Sequence, residues 1–170
     1  DDRTALQGVA DAMEGDDALA NIEAAEAFLS YDSFLRYWAV GAVVAQFDSY
    51  PYSSPGDDCH VYFNPTVGQL EYIPHGVDEA FYYPDHNVRD NAGGVLAATC
   101  RQTNVCMTRW KEHVVDVLDI QDAVDLVGYH DMVADQIEDL ARADDNKPYG
   151  NDYVTYCLLY TSPSPRDKTV

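Results

Sequence analysis

Residues 33–47 constrain the fold more than any other part of the chain. Phe34, Leu35, Tyr37, Trp38, Val40, Val43, Val44 and Phe47 spread over most of a helix's circumference there, and Arg36 carries the only charge. A helix that is apolar nearly all round has to be covered on nearly every side, so the spacing predicts a central, buried helix with other elements packed about it. Asp32 is the expected N-cap, accepting from free amides of the first turn. Asp48-Ser49-Tyr50-Pro51 is the expected exit, because Pro51 steers Tyr50 away from helical geometry.

The flanking segments supply what would cover it. Apolar residues at helical spacing over 6–13 (Leu6, Val9, Ala10, Met13) and 18–28 (Leu19, Ile22, Ala25) predict two short helices separated by Gly15-Asp16-Asp17. Beyond Pro51 a polar loop carries the Pro55-Gly56 turn signal. Residues 59–63 and 69–73 then read as two strands of a hairpin around a Pro- and Gly-containing loop over 64–68. Pro74 ends the second strand, and 79–91 is irregular, rich in Tyr, Pro and Asp. Helical periodicity resumes over 108–118 and 121–143, the latter with Val124, Val127, Val133, Ile137 and Leu140 as its expected core side. The sum is an α+β fold, predominantly α, with one two-stranded hairpin.

A chain of 170 residues is long enough for one ordinary domain. Thirty acids against ten bases give a net charge of −20, which argues against nucleic acid as a partner. The longest apolar run, 38–45, falls far short of the roughly 20 residues that span a bilayer, so no transmembrane segment is expected. The acids comprise 23 Asp and seven Glu. Asp suits caps, turns and cation coordination, so the excess is either a solvated acidic surface or includes a few cation ligands, and position has to decide.

The two ends read differently. The start, Asp1-Asp2, has neither an initiator Met nor a basic-then-apolar leader and reads as internal. The end, Cys157-Leu-Leu-Tyr-Thr-Ser-Pro-Ser-Pro-Arg-Asp167, resembles the in-frame translation of a transposase adapter used in sequencing libraries. The expected domain is therefore 1–156, with 157–170 a non-native tail; the other reading is a Ser/Pro-rich disordered terminus. Of the remaining cysteines, Cys100 and Cys106 have a spacing that closes a small disulfide loop or leaves two buried thiols; we expect the bridge, and with it an oxidising compartment. Cys59 is expected on a strand, packed inward.

The order of parts suggests chemistry. A buried helix leads to Asp48, then to the paired Asp57 and Asp58, then through a hairpin to Asp78. Phosphoryl transfer by kinases needs a carboxylate to orient the acceptor hydroxyl, a loop ligand for one metal ion and an Asp after a hairpin for the metal on the phosphates, in that order. Each residue also has a plainer role: Asp48, Asp57 and Asp58 suit turns as well as ligation. Asp78 is the strongest candidate, a carboxylate leaving a strand into a loop. Phosphate-binding glycine loops and nucleophile-elbow motifs are absent.

These residues carry a family resemblance. Residues 28–48 (FLSYDSFLRYWAVGAVVAQFD) followed by 58–78 (DCHVYFNPTVGQLEYIPHGVD) resemble the spore-coat CotH family of atypical, secreted protein kinases, and the similarity extends over roughly 5–144. Asp48, Tyr62, Ile73, Pro74 and Asp78 fit that family's pattern; the Cys100 and Cys106 pair ahead of Arg109-Trp110-Lys111 also resembles its extracellular bacterial members. The resemblance implies the C-terminal, catalytic-loop part of a kinase fold. It also implies transfer of the ATP γ-phosphate to Ser or Thr of secreted or coat proteins, with Mg²⁺ or Mn²⁺ as metal cofactor and an extracellular location.

By that resemblance Asp48 would orient the acceptor hydroxyl, Asp78 would hold the metal ion on the phosphates, and Asp57 or Asp58 stands where the family has Asn. His75 stands where it has Trp. The expectation is that the carboxylates of 48, 58 and 78 converge around one cation. The first Lys is Lys111, so no Lys-bearing strand lobe precedes Asp48, and the chain by itself is not expected to transfer phosphate. The alternative is a noncatalytic extracellular adhesion or coat-assembly module of the same fold.

Overall fold

The computed structural model describes residues 2–52, 58–81 and 87–160. They form two compact units, Asp1–Leu118 and Asp119–Val170, a division that lies inside the single 1–156 domain expected from the sequence. The fold is mixed α and β, mostly helical, with a single two-stranded antiparallel sheet among the described residues. No described helix is long and apolar enough to cross a membrane.

In the first unit α1 (Asp2–Ala12) and α2 (Ala18–Ala25) precede the central helix α3 (Tyr31–Val43). Asp17 caps α2, its carboxylate accepting from the Leu19 and Ala20 amides. Helix α3 begins two residues before the expected start and is capped by Ser30, whose Oγ accepts from Ser33 N at 3.2 Å; Asp32 sits inside the first turn. The cause is tertiary. Ser30 N donates to Leu70 O and Leu70 N to Phe28 O, so Leu29 forms an isolated parallel bridge with Leu70 after the turn that ends α2, and the helix opens as soon as that bridge ends.

The helix also ends early, at Val43 rather than 47. Gln46 N donates to Gly41 O at 2.8 Å and Ala45 N to Ala42 O at 3.3 Å, with Ala45 at φ +51°. This is a Schellman closure with Ala in the left-handed position that Gly normally takes. Asp32, Arg36 and Val40 are exposed; the rest of α3 is wrapped as expected, and Phe34, Leu35, Trp38 and Ala39 have no exposed surface.

Strands β1 (Cys59–Asn64) and β2 (Gln69–Pro74) pair antiparallel with Cys59 opposite Pro74 and Asn64 opposite Gln69. Gly68, at φ +72°, closes the loop by donating to Asn64 O. A short 3₁₀ turn, Val77–Glu79, follows. Helix α4 (Val95–Cys100), which the sequence pattern did not announce, lies against the core with Leu96 and Ala97 buried. Its approach depends on Gly94, because a Cβ there would meet Tyr50 O at 2.8 Å.

Cys100 is bonded to Cys106 across the α4 to α5 junction, and both are buried. Closing so short a loop contributes about 2 kcal/mol. Cys59 lies on β1, half-buried against the core. Helix α5 (Asn104–Ala123) starts earlier than the 108–118 pattern suggested and runs on through residue 119. Its Trp110 stacks on Trp38 with centroids 4.5 Å apart.

In the second unit α6 (Leu126–Ala143) starts after a break at Val124 and Asp125, not at 121, with Asp125 accepting from Gly128 N. Its expected core side is not a core. None of its residues is buried, and Leu140 is 74% exposed. Helix α7 (Asn151–Tyr160) runs past Tyr156 into the first residues of the suspected tail, whose remainder, 161–170, lies outside the described residues.

Candidate functional site

Gln46 is the residue around which the predicted site is built, although the sequence reading did not single it out. It is 3% exposed and follows directly on the Schellman closure, which turns it out of the helix line. Its Nε2 donates to Asp58 Oδ2 at 3.0 Å and to Gly76 O at 2.6 Å. One amide therefore ties the end of α3 to the entry of β1 and the exit of β2. Its Oε1 is buried without a hydrogen-bond partner. The signal was present: Gln46 is the first polar residue after eight apolar ones.

Two further contacts hold the same junction. Tyr37 Oη donates to the Asp58 carbonyl at 3.0 Å and accepts from Tyr50 N at 3.2 Å. Phe81 N donates to Val44 O at 2.7 Å, bringing the chain beyond Asp78 back to the end of α3. Gly76 is required twice over. It has φ +61°, and a Cβ there would run into the Asp58 carboxylate.

Between α3 and the end of the hairpin lies a cleft of about 310 Å³. Its walls are mostly apolar (Val40, Val44, Tyr72, Val77), and Asp58, Gln46 and His75 supply polar edges. Of the carboxylates singled out from the sequence, Asp58 lines this cleft; Asp48 and Asp78 do not. Asp48 is half-buried in a turn five residues past the last residue of α3, and Asp78 is exposed on the 3₁₀ turn. Asp57 lies outside the described residues. The expected convergence of 48, 58 and 78 on one cation is not seen: among the described residues no three His, Cys, Asp or Glu side chains gather as a metal-ligand group.

If the Gln46 clamp holds Asp58 and the β2 exit in place, Gln46→Leu, which keeps the volume and deletes both donors, costs about 2 kcal/mol of stability. Urea denaturation measures this. A change below about 0.5 kcal/mol would show that the clamp does not matter.

The wall behind the cleft is a tyrosine cluster. Tyr72 packs on Phe34, Tyr37 and Tyr50 with centroids 5.2 to 5.4 Å apart. Burial raises the phenols of Tyr31, Tyr37, Tyr50, Tyr52 and Tyr72 above their ordinary value, that of Tyr37 to about 12. A group that holds its proton more tightly when folded stabilises the fold fully below its unfolded value, 10.0 for Tyr, and loses that contribution as pH rises toward the folded value. Stability is therefore expected to fall from about pH 10 upward, with phenolate absorbance rising together with loss of helical signal. Ionisation of these tyrosines near their ordinary value in a chain that stays folded would contradict the burial account.

The arrangement can hold one carboxylate, Asp58, in fixed orientation beside an apolar cleft, with Asp48 on the turn that follows α3 and Asp78 on the turn that leaves the hairpin. Comparison with protein-family models, with curated proteins and with solved structures finds no match to this chain.

Proposed function

We propose that this chain is the catalytic-loop part of a metal-dependent protein phosphotransferase of the CotH kind, which moves the γ-phosphate of ATP to Ser or Thr of secreted or coat proteins. The observation that carries the reading is the order and linkage of the parts. A buried helix leads to a turn bearing Asp48, a hairpin follows with Asp58 at its entry, and Asp78 stands on the turn at its exit, with Gln46 clamping entry to exit.

The donor set suits a hard cation. Asp58 and Asp78 offer carboxylate oxygens, and Mg²⁺ or Mn²⁺ in such sites takes one or two carboxylates together with water and substrate phosphate oxygens, so a three-carboxylate cage is not demanded. The bound ion would neutralise charge on the phosphates. In the proposed step the acceptor hydroxyl oxygen bonds to the γ-phosphorus, the bond from that phosphorus to the bridging oxygen breaks, ADP leaves, and Asp48 receives the hydroxyl proton. The Cys100 to Cys106 bridge supports an oxidising, extracellular setting.

The test is phosphate transfer by the gene's full-length product from ATP with Mn²⁺ to casein, read as phosphoserine and phosphothreonine by mass spectrometry. Transfer that needs the metal ion is expected. Its absence under all metal conditions removes the phosphotransferase reading in favour of the noncatalytic adhesion or coat-assembly module.

A further inference from the structure

Two imidazoles stand side by side on the hairpin. His60 lies on β1 opposite Ile73, and His75 follows Pro74, two residues beyond Ile73 and so on the same face. Their ring centroids are 4.3 Å apart with the planes tilted by 56°, and both residues are exposed. The other two described histidines are arranged differently: His113 meets the Asp32 carboxylate at 2.9 Å and His130 that of Asp131 at 3.1 Å.

A metal–nitrogen bond of about 2.0 Å puts an ion about 3.2 Å from each ring centroid, so two imidazoles sharing it at angles of about 90° to 109° have centroids roughly 4.5 to 5.2 Å apart. The observed 4.3 Å is a few tenths of an ångström short of that range, a difference that small side-chain rotations at an exposed pair can supply. We infer that His60 and His75 form an open two-imidazole site for a divalent transition-metal ion, with Cu²⁺ bound more tightly than Ni²⁺ or Zn²⁺. Asp58 falls one step beyond the paired register, across from His75, and its Oδ2 accepts from Gln46; the site is assigned the two imidazoles alone, its remaining positions taken by water or by a donor from a bound molecule. An ion there pins the end of β2, and with it the turn that carries Asp78, to β1.

This site does not rest on the phosphotransferase reading, which calls for a hard cation on carboxylates. The test is Cu²⁺ titration of the chain, followed by calorimetry and electron paramagnetic resonance, for the wild type, His60→Ala, His75→Ala and the control His113→Ala. The wild type and the control should show coupling to two imidazole nitrogens. Each hairpin variant should bind at least fivefold more weakly and retain coupling to one. A smaller loss, or two-nitrogen coupling that persists in either hairpin variant, overturns the site. Circular dichroism confirms the fold of each variant, and His60→Gln and His75→Gln replace any alanine variant that fails to fold.

Discussion

Asp78→Ala in the full-length gene product is expected to abolish Mn²⁺-dependent ATP turnover, a loss of at least about 10³-fold. The magnitude follows from the role proposed for the carboxylate. A ligand that seats the ion on the transferred phosphate underlies several kcal/mol of transition-state stabilisation, and each 1.36 kcal/mol is tenfold in rate. The site makes the experiment clean. Asp78 is exposed on a short 3₁₀ turn, so its removal opens no cavity and strands no buried partner. Turnover should fall while the thermal midpoint moves little. Unchanged turnover would eliminate the metal role of Asp78.

The largest structural effect is expected at Trp38. Its side chain is fully buried, it stacks on Trp110, and its Nε1–H donates to Tyr52 Oη at 3.1 Å. Trp38→Ala removes the contact joining α3 to α5 and leaves a hole where two indoles met, which costs about 4 kcal/mol. That is a large share of the roughly 5 to 15 kcal/mol that holds an ordinary domain together. Near-ultraviolet dichroism and the urea midpoint should both collapse. Val40→Ala, on the same helix but 38% exposed, should cost less than about 1 kcal/mol. A Trp38→Ala cost no larger than that of Val40→Ala would mean that α3 is not the centre of this unit.

What the sequence discloses and what it hides divide along a physical line. The apolar circumference of α3 demanded burial and was found mostly buried, with Val40 the exposed exception. Two short strand segments over 59–63 and 69–73, with Pro and Gly between, produced the hairpin, each strand longer by one residue, at Asn64 and at Pro74. The six-residue separation of Cys100 and Cys106 became a disulfide. These signals are local.

The misses depend on partners distant in sequence or on weak local signals. Ser30 displaced Asp32 as the cap because Leu29, just ahead of it, is bridged to Leu70. Helix α3 stopped at Val43 through a left-handed Ala45, a position where Gly or Asn would have been legible and Ala is not. Helix α4 is six residues long, too short to display a period. In α6 the periodicity was real but its apolar side is exposed, since spacing reveals that a face exists and not what covers it.

The candidate site shows the same limit. Asp48, Asp58 and Asp78 were readable as residue types in a meaningful order, yet the tie between the hairpin's entry and exit runs through Gln46, whose role became visible only when its amide was seen bonded to Asp58 and to Gly76, the latter thirty residues further along the chain.

The account stands or falls on whether a metal–nucleotide complex settles at the two ends of the hairpin. The most direct measurement is nuclear magnetic resonance of the nitrogen-15-labelled chain titrated with Mn²⁺ and ATP, since paramagnetic broadening maps the ion's position residue by residue. The account predicts that the amides of Asp58, Gly76, Val77 and Asp78 broaden first, with Asp48 next, and that the carboxylates of α6 are affected only at higher metal concentration. Broadening that begins on Asp131, Asp135 and Asp139 and leaves the hairpin ends sharp would contradict it.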